Sequence, residues 1–299
     1  MLVTLKEVLE KAKQEKYGVG AFNCTSLESG MAIIAAAEEL KSPVILQYAD
    51  SHRHLISIDV IGPVMLQLAK AAKVPVVVHL DHGASIESCR HAVDMGFTSV
   101  MYDASAKPFE DNVQETRTVV EYAHKKGASV EAELGHILTS KAGAAEGSGK
   151  SYTREEAYTD PAMAKEFIEK TEVDALAIGF GTAHGIYTEK PVLDLDRITL
   201  IKNAKDIPYV MHGGSGLSEE EYKTAIKNGI CKINYYTYLS LAGGKGVMQY
   251  LNDKKETDAV FFEEIARAGV TAMQANVESA MKIFGSDGCF LVNIRDTIL

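Results

Sequence analysis

The chain has little cysteine and no cysteine pairs. Cys24, Cys89, Cys231 and Cys289 form no CxxC spacing, so neither a structural zinc cluster nor a redox dithiol is signalled. It also lacks a surplus of positive charge: 31 Lys plus Arg stand against 41 Asp plus Glu, a net charge of −10. That balance argues against nucleic acid or an anionic membrane surface as partner. No apolar run approaches the length of a transmembrane helix. The opening Met1-Leu2-Val3-Thr4-Leu5-Lys6-Glu7 has no basic-then-apolar order, so no signal peptide is read there. Unpaired cysteines suit a reducing compartment, and the expectation is a cytoplasmic protein. The sequon Asn23-Cys24-Thr25 is then read as chance.

What is present is a core-forming composition, 46% hydrophobic over 299 residues, arranged as alternating strands and helices. Helical spacing of Leu2, Leu5, Val8, Leu9 and Ala12 predicts a first amphipathic helix. Buried strands are predicted at 18–23, 43–48, 76–83, 98–103, 129–135, 175–180, 208–213 and 231–235. Helices are predicted between them at 26–41, 57–73, 85–95, 110–126, 161–170, 194–204 and 218–228, and at the end over 237–252 and 260–284. Eight strand–helix units with right-handed crossovers predict an α/β fold, a (β/α)8 TIM barrel with extra terminal helices. A doubly wound open sheet is the alternative, but Ala21-Phe22-Asn23-Cys24 is not the glycine-rich loop it would carry after its first strand. No linker divides residues 1–299, so one domain is expected. Residues 136–160 break the alternation with Lys141-Ala142-Gly143-Ala144-Ala145-Glu146-Gly147-Ser148-Gly149-Lys150, a stretch read as a lid or as disorder.

The strand Val76-Val77-Val78-His79-Leu80-Asp81-His82-Gly83 carries the strongest chemical signal. It is an apolar run that ends in a carboxylate and an imidazole, groups costly to bury without a task. In a barrel all such C-terminal ends open on one face. Read in order, those ends present Asn23, Asp81-His82, Asp103, Glu133, His184, His212 and Asn234. Three neutral imidazoles with an open fourth position suit a catalytic Zn²⁺. Asp103 and Glu133 then form either a second metal position or partners that orient the histidines. The plainer reading of Glu133 is a charge paired with a nearby lysine. His79, two residues before Asp81, shares its strand face and is read as support, while His91 and His124 fall on helices and are read as exposed. His212-Gly213-Gly214-Ser215-Gly216, followed by a helix from about 217–219, offers backbone N–H groups and a helix dipole to a phosphate.

At these residues the chain resembles the class II, metal-dependent ketose-bisphosphate aldolases, the fructose- and tagatose-bisphosphate family. The resemblance lies in Ala21-Phe22-Asn23, His79-Leu80-Asp81-His82-Gly83, Ser99-Val100-Met101-Tyr102-Asp103-Ala104-Ser105, Val130-Glu131-Ala132-Glu133-Leu134-Gly135, Thr182-Ala183-His184-Gly185, His212-Gly213-Gly214-Ser215-Gly216 and Lys232-Ile233-Asn234, nearly the whole chain. It implies zinc on His82, His184 and His212, a second divalent ion at Asp103 and Glu133, and admits a monovalent cation. It implies Asp81 as the acid/base. It also implies the phosphate of dihydroxyacetone phosphate on Gly185, Gly213 and Ser215 with Asn234 and Thr237, next to Asn23, Gly214, Tyr235 and Tyr236. The implied partner is a small sugar phosphate, and the implied assembly a homodimer or homotetramer. A Schiff-base lysine would be the other route to aldol cleavage. No strand end after the third offers a lysine in that role.

Three departures qualify the resemblance. The loop glutamate of the family's Gly-Gly-(Glu/Gln)-Glu-Asp run is missing; His136-Ile137-Leu138-Thr139-Ser140-Lys141 stands there, and Glu146 is the first acid. Tyr235-Tyr236-Thr237-Tyr238 is bulkier than the family's segment. No Asp-Pro-Arg segment precedes the last helices, where Asp253-Lys254-Lys255-Glu256-Thr257-Asp258 stands instead. Losing a bidentate cation for a distal phosphate is not neutral, so an unphosphorylated aldehyde becomes a candidate product, unless Arg53, Lys254 or Arg267 compensates. Two other classes stay in view: a zinc hydrolase using His52-Arg53-His54, and a sugar-phosphate sensor without turnover.

Overall fold

The computed structural model describes residues 1–139, 157–187 and 189–290. Eight strands, all paired in parallel, close into a barrel: β1 (Val19–Asn23), β2 (Val44–Ala49), β3 (Val76–Gly83), β4 (Ser99–Tyr102), β5 (Ser129–Leu134), β6 (Ala175–Ile178), β7 (Tyr209–Met211) and β8 (Ile230–Tyr235). The spatial order β1-β8-β7-β6-β5-β4-β3-β2 is the sequential order of a (β/α)8 barrel. Helices α1 (Leu5–Glu15), α2 (Leu27–Glu39), α3 (Ile58–Ala71), α4 (Ile86–Met95), α5 (Phe109–Lys125), α6 (Pro161–Thr171), α7 (Leu195–Ala204) and α8 (Glu219–Asn228) alternate with them, and α9 (Thr237–Asn252) and α10 (Phe262–Phe284) follow β8. The strands are buried on both faces, which is why they read as continuous apolar runs rather than alternating ones.

Local chemistry marks the helix ends. Thr4 with Glu7, and Ser218 with Glu221, form reciprocal capping boxes at the starts of α1 and α8. Asp160 caps α6 with Pro161 in its first turn. The core has two layers. The larger lies between the barrel wall and the helices. The smaller fills the barrel's N-terminal half with Val19, Ala21, Ile45, Val77, Ala175, Ala177 and Val210, closed from below by Leu5, Val8, Leu9 and Ala12 of α1. Above that apolar floor the inward positions turn polar: Gln47, His79, Glu131 and Lys232 are all fully buried.

Two local elements were not anticipated. The short 3-10 helix Asp50–His54 follows β2, and Leu138–Thr139 pairs with Ala183–His184 as a two-residue ladder beyond the C-terminal ends of β5 and β6. Glu146, with the rest of 140–156, lies outside the described residues. Among the described residues no helix is long and apolar enough to cross a membrane.

Candidate active site

Strand alternation would place Asp81 inside the barrel and His82 outside it. The chain avoids this with a bulge. The β3–β4 register shifts between Leu80 and Gly83, and His82 takes a left-handed backbone, φ 45°. A non-glycine residue held there costs on the order of 1–3 kcal/mol, a strain found mostly at functional sites. The effect is to bring both side chains to one mouth. Asp81 receives N–H donors from Asn23 (3.4 Å), Gln47 (3.1 Å) and Asn234 (2.9 Å). Burial works against its charged form, but His82 and Lys232 outweigh that and lower the carboxyl to about 2. It is an ionised carboxylate at neutral pH.

His82, His184 and His212 converge across this mouth, with one ring nitrogen from each within 4.8 Å of the others. Their tautomers follow from their partners, because an ionised carboxylate only accepts. His82 donates from Nδ1 to Asp103 at 2.8 Å, which leaves Nε2 facing the centre without a hydrogen bond. His212 donates from Nε2 to Glu131 at 2.9 Å and turns Nδ1 to the centre. That Nδ1 lies 3.3 Å from a Glu133 oxygen, yet neither atom makes an aligned hydrogen bond. His82, Asp103 and Glu133 form a second group with ligand atoms within 4.8 Å, so the two groups share His82. Among the described residues no lysine pairs with Glu133; it faces the histidines.

The charges of this cluster favour a cation. Burial disfavours the charged form of His82, but Asp81, Asp103 and Glu133 together hold its imidazole well above its usual range. Burial and the neighbouring Asp103 push Glu133 well up. Burial and His82 hold His212 well down, as a neutral imidazole. His82 Nε2, His212 Nδ1 and a Glu133 oxygen, buried without hydrogen bonds inside a donor set completed by His184, fit a divalent metal with an open position.

The anion-binding loop stands beside it. Gly213 has φ 62°, and a Cβ there would lie 2.5 Å from the carbonyl of Ala183, so only glycine lets the two turns touch. The Tyr236 N–H donates to the Ser215 hydroxyl at 3.2 Å, and Thr237 opens α9. Asn23, Asp81, His184, Gly185, Gly213, Gly214, Ser215, Asn234, Tyr235, Tyr236 and Thr237 all border one cleft of about 490 Å³. Asn23 and Asn234 spend their amide N–H groups on Asp81. The Tyr235 ring packs on Phe22 and Phe284 in the helix layer. The outer wall of the cleft carries Ser51, His52 and His54, and His52 stacks near Tyr236. These two histidines stand at the rim, outside both metal-spaced groups.

Residues 3–289 match the family model described as fructose-bisphosphate aldolase class-II. The chain is 41% identical over 290 residues to a fructose-bisphosphate aldolase of Geobacillus stearothermophilus, covering 96% of this chain and 98% of that one. It is 37% identical to the Escherichia coli K12 protein YdjI, over 96% of this chain and 99% of the relative. The crystal structure described as the YdjI aldolase superposes with a TM-score of 0.85 at 35% identity, covering 97% of this chain and all of that one. The chain belongs to the class II fructose-bisphosphate aldolase family. It is an aldolase, a carbon–carbon lyase, of a family that is generally metal dependent.

Beneath the mouth of this aldolase lies a charged layer whose members, His79 apart, were not singled out from the sequence. Glu131 ion-pairs with Lys232 at 2.8 Å, with His79 Nε2 at 3.6 Å from the same carboxylate oxygen, and all three are fully buried. The other Nδ1 of His79 meets the Ser99 hydroxyl at 2.8 Å. The signal was available: His79, Glu131 and Lys232 each stand two residues before a residue of the mouth, and therefore on the same strand face one layer deeper. His91 and His124 sit on α4 and α5, paired with Asp59 and Asp174. The three cations that could replace the missing distal arginine lie elsewhere. Arg53 pairs with Asp50, Lys254 with Glu264, and Arg267 is exposed on α10. Among the described residues no lysine or arginine borders the cleft.

Proposed function

We propose that the aldolase is zinc-dependent and reversibly cleaves a ketose 1-phosphate into dihydroxyacetone phosphate and an aldehyde. The observation that carries this is the convergence of His82, His184 and His212 beside the ionised Asp81, with Asp81 and His184 bordering the cleft. A zinc ion held by the three imidazoles would supply Lewis-acid stabilisation of the negative charge left beside the C2 carbonyl when the C3–C4 bond breaks. Asp81 takes the C4 hydroxyl proton in cleavage and returns it in condensation. Asn23, Gln47 and Asn234 keep its oxygens fixed, so proton transfer needs no rearrangement. Gly185, Gly213, Gly214 and Ser215, with Thr237 at the N-terminus of α9, hold the phosphate, where amide N–H groups and the helix dipole favour an anion. Asp103 and Glu133 orient His82 or accept a second divalent ion. Glu146 is the nearest acid in the loop sequence for moving the C3 proton.

The aldehyde end is read from the cleft's outer wall. With Ser51, His52 and His54 there and, among the described residues, no lysine or arginine bordering it, the preferred aldehyde is one without a phosphate. Dihydroxyacetone phosphate release is to be compared for fructose 1,6-bisphosphate, tagatose 1,6-bisphosphate and a panel of ketose 1-phosphates. Ketose 1-phosphates are expected to give the higher kcat/KM, since a phosphate without its bidentate cation loses about 10-fold or more in binding. A strong preference for a bisphosphate would overturn this part of the reading. The assembly is read as a cytoplasmic homodimer or homotetramer of one-domain chains. Exposed Met248 and Leu251 on α9 and Phe261 and Phe262 at the head of α10 offer an apolar face to a second copy.

A further inference from the structure

The hydrogen-bonded ladder between β6 and β7 stops at Ala177–Val210. The sheet therefore does not set the spacing between the turn that carries His184 and the turn that carries His212. The Tyr187 side chain crosses the gap. The Tyr187 hydroxyl accepts from the Ala183 N–H at 2.8 Å and donates to the Gly213 carbonyl at 2.9 Å. Ala183 immediately precedes His184, and Gly213 immediately follows His212. Burial pushes the phenol up to about 12, so it keeps the proton it donates.

Holding the Gly213 carbonyl does more than join two loops. A trans peptide is planar, so the Gly214 N–H must point away from the Gly213 carbonyl. Fixing one fixes the other. The Gly213-Gly214 backbone is otherwise the most permissive pair in the loop, and without an anchor its shared peptide could turn over. We propose that Tyr187 is a positioning residue: its hydroxyl locks the His184 turn to the glycine loop and thereby holds the Gly214 amide in the orientation that binds the phosphate of the substrate. The inference rests on the reading of Gly213–Ser215 as the phosphate site.

Tyr187→Phe keeps the ring and deletes only the hydroxyl, and Tyr187→Met deletes it on a different apolar frame. Both are expected to raise KM for the ketose 1-phosphate and the inhibition constant of inorganic phosphate together, by about 10-fold, the scale of one oriented bond to a charged group. Bound zinc per chain and kcat are expected to stay within about 2-fold. Ser215→Ala, which removes a hydroxyl of the loop itself, serves as the control. If Ser215→Ala weakens phosphate inhibition and neither Tyr187 variant does, Tyr187 has no positioning role. Lost zinc or a lowered thermal midpoint with an unchanged phosphate inhibition constant would also overturn it, as a purely structural tie. If inorganic phosphate does not inhibit the unmodified protein, and Ser215→Ala changes nothing, the phosphate site itself is wrongly placed and the proposal falls with it.

Discussion

Asp81→Asn is expected to lower kcat for cleavage by about 10²–10⁴-fold, the range that a positioned general base contributes. The substitution nearly preserves shape but removes the ionised carboxylate proposed to take the C4 hydroxyl proton. Three side-chain amides donate to Asp81. An asparagine there would set its own NH₂ against donors, so part of the loss comes as stability, about 1–3 kcal/mol for a buried donor without an acceptor. The two effects separate experimentally. Zinc content and the chemical-denaturation midpoint report on the frame, and single-turnover kcat reports on the proton transfer. A variant that binds zinc, folds and keeps activity within 10-fold of the parent would mean that another group takes the C4 proton.

Lys232→Met is expected to destabilise the fold by about 3–5 kcal/mol, because it strands the Glu131 carboxylate in the barrel interior. The pair is fully buried, and once the ammonium is gone the carboxylate's remaining partners among the described residues are the imidazoles of His79 and His212. Combining Lys232→Met with Glu131→Gln removes both charges, and is expected to recover most of that loss, since a buried ion pair replaced as a unit is often close to neutral. The double variant should still pay in metal affinity, about 10–100-fold, because the carboxylate that orients His212 has become an amide. Urea midpoints at constant m-value, with zinc titration of each variant, make the comparison. A Lys232→Met protein as stable as the parent would show that the ion pair does not hold this layer.

Much of this could be read from residues alone, and the limits have physical causes. The barrel was legible because parallel strands buried on both faces give apolar runs, and because helices cover every crossover. The mouth was legible because those runs end in polar groups. The strand period of two would have misplaced His82, since it predicts Asp81 and His82 on opposite faces; a bulge and a left-handed residue bring them together. The position of His82 at a polar strand end, together with the motif resemblance, identified it as a ligand where the period alone would not. Glu131 and Lys232 were legible in principle by the same period, two positions before Glu133 and Asn234. Gln47 was not, because nothing in Val44–Ala49 says that an amide will cross to Asp81. Tyr187 was not either, since a hydroxyl that joins two turns depends on how closely those turns approach, which only the folded backbone fixes.

Aldol cleavage is proposed to depend on a metal at His82, His184 and His212. Zinc content and dihydroxyacetone phosphate release from a ketose 1-phosphate should be measured on one preparation, before chelator dialysis, after it, and after zinc is restored. Release is expected to fall to background with the zinc and to return with it, and His184→Ala, which removes one of the three proposed ligands, is expected neither to retain zinc nor to recover. Undiminished release from protein shown to be free of divalent metal would contradict it.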